Sequence, residues 1–364
     1  MSPERGDVAI SGPGRQPISP AIGLAIILLT AVGGLLYVKW LPYYHRAFIA
    51  AANHSIGRSI LMGDAAQAPA ASLQSAIDYT VAYGKAIWKA MVLGLLLGSA
   101  LQEFAPPSLM VRAFGRPGWR SVATGGLLSI PGMMCTCCAA PVVIGLRQQR
   151  ATASSAIAFW LGNTVLNPAT LVFTGFVLGW QWTALRLAFG ILMVFGIGYL
   201  VHRIAQPEQL QLLASEVDQL ATREANLRPT IAGWFRRFAR LALGLIPEYL
   251  VLVLLLGAAR AWLFPHIGPD IGNSVFWIAV MAAAGLMFVI PTAGEVPIVQ
   301  AMLALGIGAG PAAALLLTLP PVSLPSLAMT KSVFSFRVLG FVAAAVLVIG
   351  IVAGITAVAL GIHG

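Results

Sequence analysis

Charge is scarce in this sequence. Only 9% of its 364 residues are charged and 59% are hydrophobic, with a mean hydropathy of +0.86. Soluble domains carry about 25% charged residues, and a water-soluble chain could not cover its surface with so few. A soluble globular fold is therefore excluded and a membrane protein expected. Cysteine is scarcer still: three residues, all within Cys135–Cys138. Three adjacent thiols cannot make a disulfide framework. No second Cys or His cluster completes a four-ligand zinc site at the usual spacings. A nucleotide-binding signature is also missing, so ATP hydrolysis would have to come from another chain. The net charge of +10 does not imply a nucleic-acid partner, because Lys and Arg cluster between apolar stretches rather than along a basic stripe with interleaved aromatics.

What is present is a series of apolar runs. A membrane-spanning helix needs roughly 20 mostly apolar residues. Candidate spans are Ile18–Trp40, Ile77–Ala100, Val122–Leu146, Ser154–Leu178, Thr183–Val201, Leu241–Phe264, Ser274–Ile290, Val296–Leu305, Ala312–Met329 and Val338–Leu360. Val296–Leu305 is short and reads as re-entrant. The expected fold is an all-α polytopic helical bundle of roughly eight to ten membrane segments. The first run is too long for a signal-peptide core and lacks a small-residue cleavage site, so it is expected to stay as an anchor.

Four parts are expected: residues 1–76 with the first span and an interfacial insert, 77–203, a charged linker over 204–240, and 241–364. In the linker Leu210, Leu213, Val217 and Leu220 recur at helical spacing, which predicts an amphipathic surface helix. Lys39, Arg46, Arg58, Arg147, Arg150, Arg203, Arg236, Arg237, Arg240, Lys331 and Arg337 are expected on the linker's side, making it cytoplasmic in an inner membrane. Arg112, Arg116 and Arg120 then fall on the other side. The tryptophans at 160, 180, 182, 234, 262 and 277 suit interfacial belts.

The two halves resemble each other. One carries Ile130-Pro131-Gly132, the Cys cluster and Pro141, then an apolar run ending Leu166-Asn167-Pro168. The other carries Ile290-Pro291, Gly294-Glu295 and Pro297, then a run ending Pro320-Pro321-Val322-Ser323-Leu324-Pro325. Paired proline-interrupted segments at corresponding places point to a transporter's solute site, and an odd number of spans per half would make the repeats inverted. Broken backbone at membrane depth survives only buried in protein or against a water-filled cavity.

Cys135, Cys137 and Cys138 are thus candidate ligands for a soft, thiol-seeking solute, against the blander reading of cysteine as a small buried hydrophobe. Asn163 and Asn167 either bond across helices or, with carbonyls freed near Pro168, shape the site. Glu295 is an intramembrane carboxylate and a candidate for proton coupling or solute contact. Ser323 offers a hydroxyl at the second break. No resident cofactor or metal is expected; the expected partners are the bilayer and a small solute.

Cys135-Thr136-Cys137-Cys138-Ala139-Ala140-Pro141 followed by Leu166-Asn167-Pro168 resembles the C-S-C-S-x-x-P and I-N-P signatures of a predicted-permease family that includes organoarsenical efflux permeases. Gly294-Glu295-Val296-Pro297 and Val322-Ser323-Leu324-Pro325 are similar to its second repeat. The sequence departs from the pattern at Cys138, where the family has a second Ser, and at Asn163-Thr164, where it often has Ser-Pro. The resemblance implies a non-enzymatic permease that exports trivalent organoarsenicals through paired thiols. The alternatives are a soft metal ion or small sulfur compound as solute, or a membrane thiol oxidoreductase or redox sensor. An oxidoreductase needs an accessible low-pKa thiol, and no Lys, Arg or His lies within the motif.

Overall fold

The computed structural model describes residues 18–57, 60, 72–115, 118–205, 229–263 and 271–362. The amphipathic pattern from Leu210 to Leu220, and Arg58 and Arg116, lie outside them. All regular elements among the described residues are helical. We number them α1 Pro20–Leu35, α2 Leu41–Asn53, α3 Leu73–Phe104, α4 Trp119–Ser129, α5 Thr136–Gln148, α6 Ala153–Val165, α7 Pro168–Val177 and α8 Trp180–Ile191. The second half holds α9 Ile231–Leu263, α10 Val275–Met287, α11 Glu295–Ala304, α12 Ala309–Thr318, α13 Leu324–Thr330 and α14 Phe336–Ala359. A wider π turn joins α1 to α2, and another extends α8 so that helix runs to Ala205. The start of α9 lies inside the stretch read above as linker.

Close helix contacts fix the direction of each element. On α3, Gly94 and Gly98 lie so near the Cys138 and Pro141 carbonyls of α5 that a Cβ would not fit. One turn on, Gln149 Nε2 donates to the Gln102 carbonyl at 2.9 Å, so α3 and α5 run parallel. Gly125 of α4 packs on Ser155 of α6 and Gly132 on Asn163, so α4 and α6 are parallel as well. The start of α4 meets the α5–α6 turn, where Ser121 and Thr152 hydroxyls are 3.4 Å apart. Helices α4 and α5 therefore dip in and return to the end they came from. Val122–Leu146, expected as one span, is a re-entrant hairpin.

The second half repeats this construction upside down. Trp234 Nε1 of α9 donates to Ser99 Oγ at 2.9 Å, while Gly257 packs on Ala76 and Tyr79, so α9 is antiparallel to α3. Gly310 meets Ile278 and Gly285 meets Thr318, making α10 and α12 parallel. The α11–α12 turn returns to the start of α10, where the Gly308 amide donates to the Ile271 carbonyl at 2.9 Å. Helices α10 and α11 are thus a second hairpin, entering from the opposite end. Each half consists of a long helix, a hairpin, a helix broken midway and a closing helix, three passages in all, and the repeats are inverted.

The closing helices confirm the order. Gly190 and Gly198 of the α8 helix pack on Val165 and Ala158 of α6, and Gly350 and Gly354 of α14 pack on Thr318 and Gly310 of α12. Both pairs are antiparallel. Helix α1 starts beside Phe104, where Gly23 packs, and α2 ends beside Phe176, whose carbonyl lies 2.7 Å from His54 Nδ1. Among the described residues, six helices or helix pairs are long and apolar enough to cross a bilayer. The α12–α13 pair, too interrupted to count by length alone, completes a seventh passage.

The hairpins rearrange the arginines. Arg112 and Arg120 share an end with Arg147, Arg150, Arg203, Arg236, Arg237, Arg240 and Arg337, because the chain between Arg120 and Arg147 returns instead of crossing. Arg46, expected on that side, lies on α2 towards the opposite end, and Lys39 lies within the helix body. Trp160 and Trp182 are not belt residues. Both are buried, and Trp160 Nε1 donates to the Thr136 carbonyl at 3.0 Å.

Candidate functional site

Proline and its neighbours cut both hairpins at their tips. In the first, Ile130-Pro131-Gly132 forms one tight turn, Met133 takes a left-handed conformation with φ 47°, and Cys135 caps α5. In the second, the chain leaves the helix at Phe288, and Ala293 is left-handed with φ 68° just before α11. A non-glycine residue in this conformation costs energy, and here it occurs at both tips. Pro141 lies inside α5, where it removes the amide that would meet the Cys137 carbonyl. Pro168 is the first residue of α7 and Pro325 the second of α13, where a missing amide costs nothing. Pro297 occupies the first turn of α11 for the same reason.

The tips meet inside the bundle, and α3 joins them. Tyr83 Oη lies 3.1 Å from Cys137 Sγ and 3.5 Å from the Ile290 carbonyl. Tyr79 donates to the Val289 carbonyl at 2.7 Å. From the N-terminal helix, Trp40 donates to the Pro131 carbonyl at 3.1 Å and Lys39 to Thr292 Oγ1 at 2.9 Å. Each hairpin tip is therefore held by α3 or by the N-terminal helix.

All three cysteines are free thiols, and their sulfurs lie within 4.8 Å of one another. Cys135 Sγ is 3.2 Å from Cys137 Sγ and 2.9 Å from Cys138 Sγ. Metal–thiolate bonds are about 2.3 Å for zinc, so two sulfurs on one such centre lie at most about 4.6 Å apart. The cluster is about the size one soft centre would bridge. Cys137 and Cys138 are sealed, while Cys135 borders two openings. One is a crevice of about 10 Å³ bordered by Cys135, Thr164, Thr170, Pro291, Glu295 and Pro320. The other is a cavity of about 500 Å³ reaching out past Lys39 and Tyr43 to Arg46, also bordered by Pro291, Gly294 and Pro297.

Glu295 has no basic neighbour in sequence but has one in space. Arg186, in the middle of the α8 helix, reaches it at 2.7 Å, and both side chains are buried. Arg186 also donates to the Thr164 and Val165 carbonyls at 3.1 and 3.3 Å, the carbonyls left open where α6 breaks. One guanidinium thus ties the break of the first repeat to the hairpin tip of the second.

The amides and hydroxyls divide. Asn167 accepts from the Ala169 and Thr170 amides through Oδ1 and caps α7, while its Nδ2 has no partner among the described residues. Asn163 donates to the Phe159 carbonyl and presses Oδ1 against Gly132, that oxygen also having no partner among the described residues. Neither borders the openings. Ser323 caps α13 together with Ser326, and of its break only Pro320 reaches the crevice; Pro321 sits in the buried turn beyond it. Sequence reasoning missed Lys39, Tyr83, Thr170 and Arg186. For Lys39 and Arg186 a signal existed, a basic residue inside an apolar run.

Residues 72–359 match the model of a family described as "Predicted permease". The chain belongs to that family. The permease is 48% identical to UPF0718 protein YraQ of Escherichia coli (strain K12) over 335 residues, 91% of this chain and 93% of that one. It is 21% identical to UPF0718 protein MJ0584 of Methanocaldococcus jannaschii over 336 residues, 73% of this chain and 91% of the other. No solved structure matches it. The family match begins at residue 72, so the α1–α2 helix that carries Lys39 lies outside it.

Proposed function

We propose that the permease exports a small thiol-seeking solute, with trivalent organoarsenicals as the class the sequence resemblance names. The observation that carries this is the sulfur cluster beside the cavity at the meeting of the two hairpin tips. In this reading two of Cys135, Cys137 and Cys138 at a time take the solute, each of its two As–O bonds exchanged for an As–S bond with release of one water. Soft thiolates favour such a centre over hard cations. Asn163 and Asn167 hold the break of the first repeat in shape, Ser323 that of the second, and one repeat rocks against the other. Glu295 exchanges the proton that couples transport; its protonation would release Arg186 and with it the tie between the repeats. Three sulfurs this close also suit a soft metal ion as the transported species.

The arginine-rich end supports a cytoplasmic position for the linker and an inner-membrane location. The 500 Å³ cavity then opens to the outside, where an exported solute leaves. The test is accumulation of methylarsenite in everted vesicles for the wild type and for Cys135→Ser, Cys137→Ser and Cys138→Ser. Loss in the variants at normal expression supports the reading. No accumulation in the wild type removes the arsenical, and equal accumulation in all four removes the thiols.

A further inference from the structure

Lys39 is a buried ammonium with no carboxylate partner among the described residues. Its side chain is 4% exposed. It donates to Thr292 Oγ1 and lies 5.3 Å from the centre of the Tyr43 ring. Both partners are neutral, and an ammonium has three donors. A buried charge without a counter-charge is costly and is normally paired. The cavity of about 500 Å³ that Lys39 borders holds a second cation, Arg46, at its rim, and among the described residues no acidic side chain lines it. Cys135 borders the same cavity.

We infer that this cavity receives an anion, and that the transported solute is a thiol-seeking species carrying negative charge. This rests on the thiol reading above. Lys39 is the counter-charge for the solute's anionic group and Cys135 meets its soft centre, so the two together select for both properties. An N-terminal helix outside the family match thereby contributes a binding residue. Tyr43 lies against both cation and cavity and keeps the Lys39 head from turning back into lipid.

The test uses two arsenicals with the same reactive centre and different charge: phenylarsenite, which is neutral, and 4-carboxyphenylarsenite, which is an anion. Initial uptake of each is measured in everted vesicles for the wild type, Lys39→Gln, Lys39→Arg and Arg46→Gln. The expected result is a preference for the anion in the wild type, falling roughly tenfold in Lys39→Gln, as for loss of one charged hydrogen bond. Lys39→Arg should retain the preference. Arg46→Gln, exposed at the rim and harmless to folding, should weaken it slightly.

A merely structural lysine, or one paired only with the Cys135 sulfur, would lower uptake of both probes equally and leave their ratio unchanged. That outcome overturns the inference, as does a wild type that prefers the neutral probe. Cys135→Ser separates this from failure of the thiol reading. Loss of both probes there with an altered ratio in Lys39→Gln supports both, whereas normal uptake there with an altered ratio rejects the thiols and keeps the anion site.

Discussion

Neutralising Glu295 should destabilise the fold more than removing both members of its ion pair. Arg186 and Glu295 are 0% and 2% exposed and 2.7 Å apart. At an effective dielectric of about 20 their gross attraction is about 6 kcal/mol, most of it set against desolvation of the two charges. Breaking such a pair from one side costs about 3–5 kcal/mol because a charge is left buried alone. Glu295→Met leaves Arg186 with only the Thr164 and Val165 carbonyls; Arg186→Met leaves a bare carboxylate. In the double variant neither charge remains, and what is lost is chiefly those two carbonyl bonds, about 1 kcal/mol each.

The four proteins are compared by equilibrium unfolding in mixed micelles of dodecyl maltoside and SDS. The sum of the two single losses should exceed the double loss by at least about 3 kcal/mol. If Glu295→Met costs under about 1 kcal/mol, or the losses simply add, water reaches the pair and the reasoning fails.

The methylarsenite assay and the charge-ratio assay give two further predictions, and packing and access give two more. Gly94→Val places a side chain on the Cys138 carbonyl; separating α3 from α5 should cost about 1–3 kcal/mol or more in the same micelle titration, and a neutral outcome would mean that the two helices are not in contact. In variants keeping one cysteine each, Cys135 should react with a membrane-impermeant, negatively charged methanethiosulfonate added at the end opposite the arginine-rich one. Cys137 and Cys138, sealed behind it, should react far more slowly; equal rates would place the cavity elsewhere.

Much of this was legible in the sequence because proline acts locally. Pro131, Pro168, Pro291 and Pro320 each lie at or beside a place where helix stops, and their matching order in the two halves points to the repeats. The path of the chain was less legible. Hydropathy reports how long an apolar stretch is, not whether it returns, so Val122–Leu146 read as a passage although it contains the same Pro-Gly interruption that marked the site. That misreading placed Arg120 and Arg147 on opposite sides; once the segment is a hairpin, their conflict with the other arginines disappears.

The partners of the site were hidden for a different reason. Glu295 was conspicuous, but its ligand lies on another helix, and a pairing between helices leaves no trace in local spacing. Yet Arg186 lies seven positions into Trp180–Ala205, a helix apolar enough to cross the membrane, where a lone guanidinium could not rest unpaired. An intramembrane arginine and an intramembrane glutamate, each without a local partner, imply each other. Lys39 meets the same condition and has no such complement among the described residues. If the inference above holds, the counter-charge of this buried cation comes with the solute, and the charge-ratio assay reads it.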